Sequence, residues 1–271
     1  MTLDVLIATC RPEGILRVER MELPMVENVR YIVSWQLSGN TPVPPALAAR
    51  DDVEVHRVDS VGLSRNRNDG LSRSRADICL IADDDLRYTP ERLKAVIEAF
   101  SSRPSMDVAA FMYDGSYSKQ YPSIESPLIP YPKGYYPSSI EIAVRRTPLT
   151  SRLRFDERFG LASGVFHVGE EDVFLLSGHH LGLDMRFIPV AITSHEGHTT
   201  GLRRISDPRI LHGFGAVICY LHPLTFTLRI PLKALRLARK GQARFLTALV
   251  RMYSGALKGA TINPRPWKKK Q

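Results

Sequence analysis

An α/β protein built on a mostly parallel sheet is predicted by three observations. Short apolar runs rich in Val, Ile and Leu recur through the front half of the chain, at residues 4–9, 31–35, 53–58, 78–82 and 108–113. Helical periodicity lies between the fourth and fifth of them. One run, at 78–82, passes directly into three carboxylates. Runs of this length and composition are strands covered on both faces, and their alternation with helix signals is that of βαβ units.

The clearest helix is justified residue by residue. Thr89 can cap it, Pro90 suits its first turn, and Leu93, Val96, Ile97 and Phe100 recur at helical spacing. Residues 114–139 then break the pattern with five prolines and five tyrosines, a composition that excludes regular helix. The tyrosines either offer stacking faces to a sugar ring or belong to an ordered surface loop. Further on, residues 185–193 read as a strand, with His195 and His198 just beyond it.

The chain has 271 residues, of which 44% are hydrophobic and 24% charged, ordinary values for a globular protein with a sizeable core. Cys10, Cys79 and Cys219 are too far apart to suggest a zinc site or a disulfide framework, so reduced, buried thiols are expected. The opening Met-Thr-Leu-Asp-Val-Leu-Ile-Ala-Thr enters a strand without the features of a signal peptide, and a cytoplasmic address is expected.

The net charge of +9 is unevenly distributed. From residue 210 onward there are twelve Lys or Arg and no acid, whereas residues 1–209 hold 25 basic and 28 acidic side chains. A two-part organisation is expected, a main domain over 1–205 and a basic helical tail over 206–271. Residues 210–228 are uncharged, nearly a membrane span in length, but His212, Gly213, Gly215, His222 and Pro223 argue for a buried or interfacial helix instead. Residues 230–237 and 245–257 interleave Leu, Ala, Val and Met with Arg and Lys, as basic amphipathic helices on an anionic membrane do. The alternative is a helix pair packed on the main domain with a solvated basic face.

The chemistry is concentrated at Ile78-Cys79-Leu80-Ile81-Ala82-Asp83-Asp84-Asp85. A buried strand ending in acids places them where open α/β sheets bind ligands. Three adjacent carboxylates repel one another, and either a hard cation such as Mg²⁺ or Mn²⁺ or several donors must hold them. The competing reading is an acidic turn that caps the following helix. Glu170, Glu171 and Asp172 open another apolar helix and carry the same ambiguity.

Gly62-Leu63-Ser64-Arg65-Asn66-Arg67-Asn68, followed by the strand and its acids, resembles bacterial glycosyltransferases of family 2. Phe155-Asp156-Glu157-Arg158-Phe159-Gly160, then Gly169-Glu170-Glu171-Asp172-Val173-Phe174-Leu175, then Pro189 and His195, extend the resemblance in order to about residue 200. It implies a GT-A fold, a doubly wound sheet that binds a nucleotide-sugar, and an inverting displacement at the anomeric carbon. It implies a Mn²⁺ or Mg²⁺ ion held by Asp85, Asp83 and His195, with His198 an alternative to His195. For the nucleotide-sugar it implies Ala8, Thr9, Arg11, Ser64, Arg67, Asn68, Asp83 and Asp84. For the base that activates the acceptor hydroxyl it implies Asp172, with Glu171 the near alternative. The donor expected is a nucleotide-diphosphate sugar, first of all a UDP-sugar, and the acceptor a glycan or lipid-linked hydroxyl in bacterial cell-surface polysaccharide synthesis. The expected place of work is the inner face of the plasma membrane, reached through residues 228–270. The family's usual acidic turn after the second strand is replaced by Ser34-Trp35-Gln36, which leaves base recognition open.

Two other classes compete. A nucleotidyltransferase also uses metal-bound aspartates, but the segment after the first strand holds only Gly14 of the glycines that a phosphate loop needs. An anion-binding module could use the tail and its aromatics, Trp267 included, on nucleic acid. Leu, Ala and Val dominate the tail, so lipid suits it better and no nucleic acid is expected.

Overall fold

The computed structural model describes residues 1–115, 119–195 and 205–261. Within them an eight-stranded sheet has the order β3-β2-β1-β4-β7-β5-β8-β6. The strands are β1 (Leu3–Cys10), β2 (Val29–Gln36), β3 (Val53–Val58), β4 (Ile78–Asp83), β5 (Val108–Gly115), β6 (Ser126–Pro127), β7 (Ile142–Arg145) and β8 (Met185–His195). β1 pairs in parallel with both β2 and β4, β2 with β3, and β5 with β8. β7 is antiparallel to both β4 and β5, and β6 to β8. The five strands expected in the front half and the one over 185–193 are all present. β7 has no counterpart in the sequence reading, because its four residues follow an irregular stretch and are too few to carry a period.

The chain falls into two compact units. The first comprises Met1–Val61, Arg65–Arg154 and Gly178–His198, and contains the sheet. Its core joins Val5, Ile7, Trp35, Leu80 and Phe111 to Ile15 and Val18 of α1 (Pro12–Arg20) and to Leu93, Val96 and Phe100 of α4 (Pro90–Ser101). Thr89 caps α4 as its sequence predicts, its hydroxyl accepting from Arg92 N. The short α2 (Pro45–Ala48) precedes β3, and α3 (Leu63–Arg73) leads into β4. Running the chain β1, β2, β3 and then back to the far side of β1 makes the carboxyl ends of β1 and β4 a topological switch point, where such sheets open a ligand crevice.

The Tyr/Pro segment folds over the first unit's own aromatics. Tyr121 stacks with Phe187 at 6.2 Å, and Tyr135 meets the same ring edge-on at 4.9 Å. Glu141 is fully buried beneath them, accepting from Tyr121 Oη at 2.6 Å and from Lys119 Nζ at 2.6 Å. Burial pushes its carboxyl above the usual range, with Lys119 opposing the shift. Tyr121 and Tyr135 are therefore engaged in packing. Tyr117 lies outside the described residues.

The second unit comprises Gly62–Ser64, Phe155–Ser177 and Thr199–Gln271. It holds the head of α5 (Glu170–His180) and three further helices, α6 (Pro208–Leu221), α7 (Phe226–Arg239) and α8 (Phe245–Thr261). The uncharged run at 210–228 is divided between α6 and α7, and among the described residues no helix is long and apolar enough to cross a membrane. α6 and α8 approach backbone to backbone. A methyl added at Gly215 would overlap the Met252 carbonyl, and one at Gly255 the His212 carbonyl. Ile230, Ala234 and Leu237 of α7 close the cluster against Ala248, Met252 and Ala256. The amphipathic segments expected at 230–237 and 245–257 are thus helical, and residues 262–271, with Trp267, lie outside the described part.

Candidate active site

The acids at the end of β4 meet four different side chains, each delivered by a separate element. Ala8 and Asp83 are register partners across β1 and β4, so Thr9, still in β1, stands beside Asp84, the first residue past β4. Asp84 receives two guanidinium bonds from Arg17 of α1, 3.0 Å to Oδ1 and 2.7 Å to Oδ2, and a short bond from the Thr9 hydroxyl. Asp83 receives Arg67 Nη2 of α3 at 3.0 Å. Asp85 lies 3.1 Å from His195 Nε2, at the last residue of β8.

This last meeting has a backbone cause. Arg87 and Ser194 form an antiparallel bridge, N to O at 2.9 and 3.0 Å in the two directions, and the Thr193 hydroxyl also donates to Arg87 O. The turn after β4 is thereby clamped to the end of β8.

Exposure separates the three carboxylates. Their side chains are 38% (Asp83), 13% (Asp84) and 52% (Asp85) accessible. Two guanidiniums neutralise two acids, and the third faces the crevice beside an imidazole. Desolvation raises the Asp85 carboxyl above its ordinary range, the Asp83 charge adds to that, and the His195 hydrogen bond opposes it.

Among the described residues no three His, Cys, Asp or Glu side chains form a closed metal cage. A hard divalent cation does not need one, since it is commonly held by one or two carboxylates with substrate phosphates and water. Neighbouring ligands of an octahedral ion with bonds of about 2.1 Å stand about 3.0 Å apart. The 3.1 Å between Asp85 Oδ2 and His195 Nε2 matches that edge, so the donor pair fits such an ion.

The remaining candidates fall as follows. Thr9 O accepts from Asn66 Nδ2 at 2.8 Å, which fixes the end of β1. Arg11 has φ 66°, its N–H donates to Gln36 O, and its carbonyl accepts from Trp35 Nε1 at 2.7 Å, so its backbone ties β1 to β2. At the next strand ends Arg57 lies over the Trp35 ring at 4.7 Å, and Gln36 donates to the Ser60 hydroxyl at 3.0 Å. These groups stand where the resemblance led one to look for an acid.

In the second unit Ser64 is buried and donates to Phe159 O at 2.6 Å, while Leu63 N bonds Leu161 O. Both contacts dock the Phe-Asp-Glu-Arg-Phe-Gly segment. Gly160, at φ 100°, leaves room for Ser64 and Glu170, whose atoms an added methyl would meet at 2.9 and 3.2 Å. Glu171 and Asp172 are half-buried on the first turn of α5, ahead of the fully packed Val173, Phe174 and Leu175. Lys233 of α7 is close enough to Asp172 to feel its charge, although burial lowers the lysine's own pKa. His198 lies outside the described residues.

Two contributors escaped the sequence reading. Arg17 had no motif, and only its place on the helix after β1 hints at an acid nearby. Asn66 was hidden by repetition, because Arg65-Asn66-Arg67-Asn68 contains the Arg-Asn pair twice. The structure buries Asn66 and Arg67, whereas Arg65 is exposed and Asn68 half-buried.

Residues 45–162 match the family model described as Glycosyl transferase family 2. Similar solved structures include S. aureus TarS 1-349 in complex with UDP-GlcNAc, at TM-score 0.59 and 13% identity, over 95% of this chain and 92% of that one. TarS 1-349 in complex with UDP aligns at TM-score 0.56 and 16% identity, over 81% of this chain and 66% of that one. For S. aureus TarS the values are 0.58 and 16%, over 80% of this chain and 39% of that one. The chain thus spans just under two thirds of the UDP complex and well under half of TarS. The likeness is one of fold, and the fold is GT-A. No curated protein sequence matches the chain.

Proposed function

We propose that this protein is an inverting, metal-dependent glycosyltransferase that moves a sugar from a nucleoside-diphosphate sugar to a hydroxyl of a glycan or lipid-linked acceptor. The observation that supports the reading is the approach of Asp85 to His195, just past the carboxyl end of β4 in a GT-A sheet. A UDP-sugar is the donor proposed first, since the TarS structures of the same fold hold UDP or UDP-GlcNAc. A role in bacterial cell-surface polysaccharide synthesis, at the cytoplasmic face of the membrane, follows the same reading. The basic helices after residue 206 are the proposed membrane contact.

Asp85 and His195 would hold Mn²⁺ or Mg²⁺, with Asp83 completing the set or contacting the ribose. Such an ion supplies Lewis-acid neutralisation of the diphosphate as it leaves. The chain's own residues do the rest. Arg67 orients Asp83, and Arg17 and Thr9 fix Asp84 so that the turn cannot swing. Asp172 accepts the proton of the acceptor hydroxyl while that oxygen attacks the anomeric carbon and the bond to the diphosphate breaks. Glu171 is the alternative base. Val173, Phe174 and Leu175, buried directly after them, hold this end of α5 in place.

The test is a donor panel with Mn²⁺ present, scored by released nucleoside diphosphate against a chelated control. Turnover that survives chelation overturns the metal role, and absence of release with every donor overturns the transfer. Asp172→Asn is expected to abolish transfer by about a thousandfold while leaving donor affinity nearly intact. Normal turnover in that variant removes Asp172 from the role.

A further inference from the structure

Helices α7 and α8 each carry two apolar stripes, and only one is explained by packing. On α7 the buried stripe is Ile230, Ala234 and Leu237. Leu228, Leu232 and Leu235 recur at spacings of four and three on the opposite side of the same helix, and Leu228 and Leu232 are 70% and 65% exposed. On α8 the buried stripe is Ala248, Met252, Gly255 and Ala256, and opposite it stand Leu246, Val250 and Leu257, all exposed. An amphipathic helix that only packs on its own unit would show polar residues there.

Charge decides what covers this second stripe. Arg229, Arg236 and Lys240 flank it along one side of α7, and Arg251 and Lys258 take the same place on α8, all exposed. Residues 210–271 contain no Asp or Glu. A second copy of this helix pair would set like charges against each other, and nucleic acid would leave the leucines in water. An anionic bilayer satisfies both, since it takes apolar side chains below its headgroups and Lys and Arg among them.

We infer that α7 and α8 are an interfacial anchor whose outward stripes, Leu228–Leu232–Leu235 and Leu246–Val250–Leu257, insert into an anionic membrane surface. The inference rests on the membrane contact proposed above and adds the residues that enter the lipid. The anchor is a helix pair prefolded by its inner stripe, so little ordering entropy is lost on binding.

The whole 271-residue protein is sedimented with vesicles of phosphatidylcholine alone and of phosphatidylcholine with about one third phosphatidylglycerol, at low and high salt. Binding to the anionic vesicles only, weakened by salt, is expected. Leu228→Ser/Leu232→Ser and Leu246→Ser/Val250→Ser should each weaken it on the order of a hundredfold, about tenfold per side chain, with an unchanged melting curve. Leu228→Trp keeps the site apolar, and its fluorescence should shift to the blue and be quenched by brominated lipid. Wild-type binding that both double variants retain, or fluorescence of the Leu228→Trp variant that is blind to lipid, overturns the inserted stripe while the membrane contact stands. No binding of the wild type to either vesicle overturns the membrane contact itself. Self-association that the double variants abolish, without vesicle binding, makes a second copy the occupant and overturns the anchor.

Discussion

The two units solve opposite problems with charge. In the sheet-bearing unit, carboxylates are drawn into the structure and matched: Asp84 with Arg17, Asp83 with Arg67, Glu141 with Lys119. In the helical unit the packing of α6 against α8 excludes side chains altogether at Gly215 and Gly255 and leaves Arg229, Arg236, Lys240, Arg251 and Lys258 exposed. Paired charges orient, which is what a crevice for a charged ligand needs. Backbone contact gives close packing and frees the outer faces of the helices for another task. A single sequence can therefore hold a paired polar cluster and an apolar, basic helix surface without either compromising the other.

Four perturbations would break or sharpen that contrast. The largest effect is expected at the helix crossing. Gly215→Val drives a branched side chain into the Met252 carbonyl and should cost at least about 3 kcal/mol, seen as a lowered melting temperature. If the variant melts like the wild type, the helices are not in backbone contact. Next is the buried pair of the first unit. Glu141→Ala leaves the Lys119 ammonium among tyrosine rings without its carboxylate and should cost about 3 kcal/mol, whereas Lys119→Met/Glu141→Gln together should recover much of it. A single variant milder than the double would refute the pairing.

A smaller effect is expected at Arg17, which is partly exposed. Arg17→Met should cost about 1 kcal/mol in stability, and its larger signature should be weaker donor binding once Asp84 is released. Calorimetric titration with donor nucleotide checks it, and unchanged affinity would make the Arg17–Asp84 pair a structural detail only.

The smallest effect is a pH dependence of the helical unit. Burial lowers the pKa of His212 and of His222 from 6.5. Well above 6.5 both the folded and the unfolded chain carry these groups neutral, and they contribute nothing to the slope. As pH falls through 6.5 the unfolded chain takes up protons that the folded chain resists, and stability declines until the lower folded value is passed. Melts from about pH 7.5 to about pH 5.5 should show this decline, and His212→Asn/His222→Asn should flatten it. A double variant with the wild-type slope would assign the decline to other groups.

The sheet was legible because its strands are buried on both faces and so are written as plain apolar runs, from Val5 and Ile7 to Ile78 and Ile81. The acids after β4 and the histidine at the end of β8 could be found for the same reason: each follows directly on a recognisable strand. Other features were written in a different medium. β7 is four residues whose identity as a strand comes only from its two neighbours. The role of Asp84 depends on Arg17, and nothing in either residue's local sequence names the other. Asn66 and Asn68 sit in a repeated dipeptide, where only helix phase decides which one faces inward. Periodicity in α7 and α8 showed amphipathic helices but mixed inner and outer leucines, since a stripe and its opposite share the same period. Three-dimensional packing was needed to sort them.

The bridge between Arg87 and Ser194 has a consequence for how the molecule matures. Asp85 and His195 are 110 positions apart, and they meet only after β5, β7 and β8 have been laid beside β4. No nascent chain or fragment ending before residue 195 can form this contact. If the proposed cation binds there, its acquisition would serve as a quality certificate, issued only to molecules whose sheet is finished.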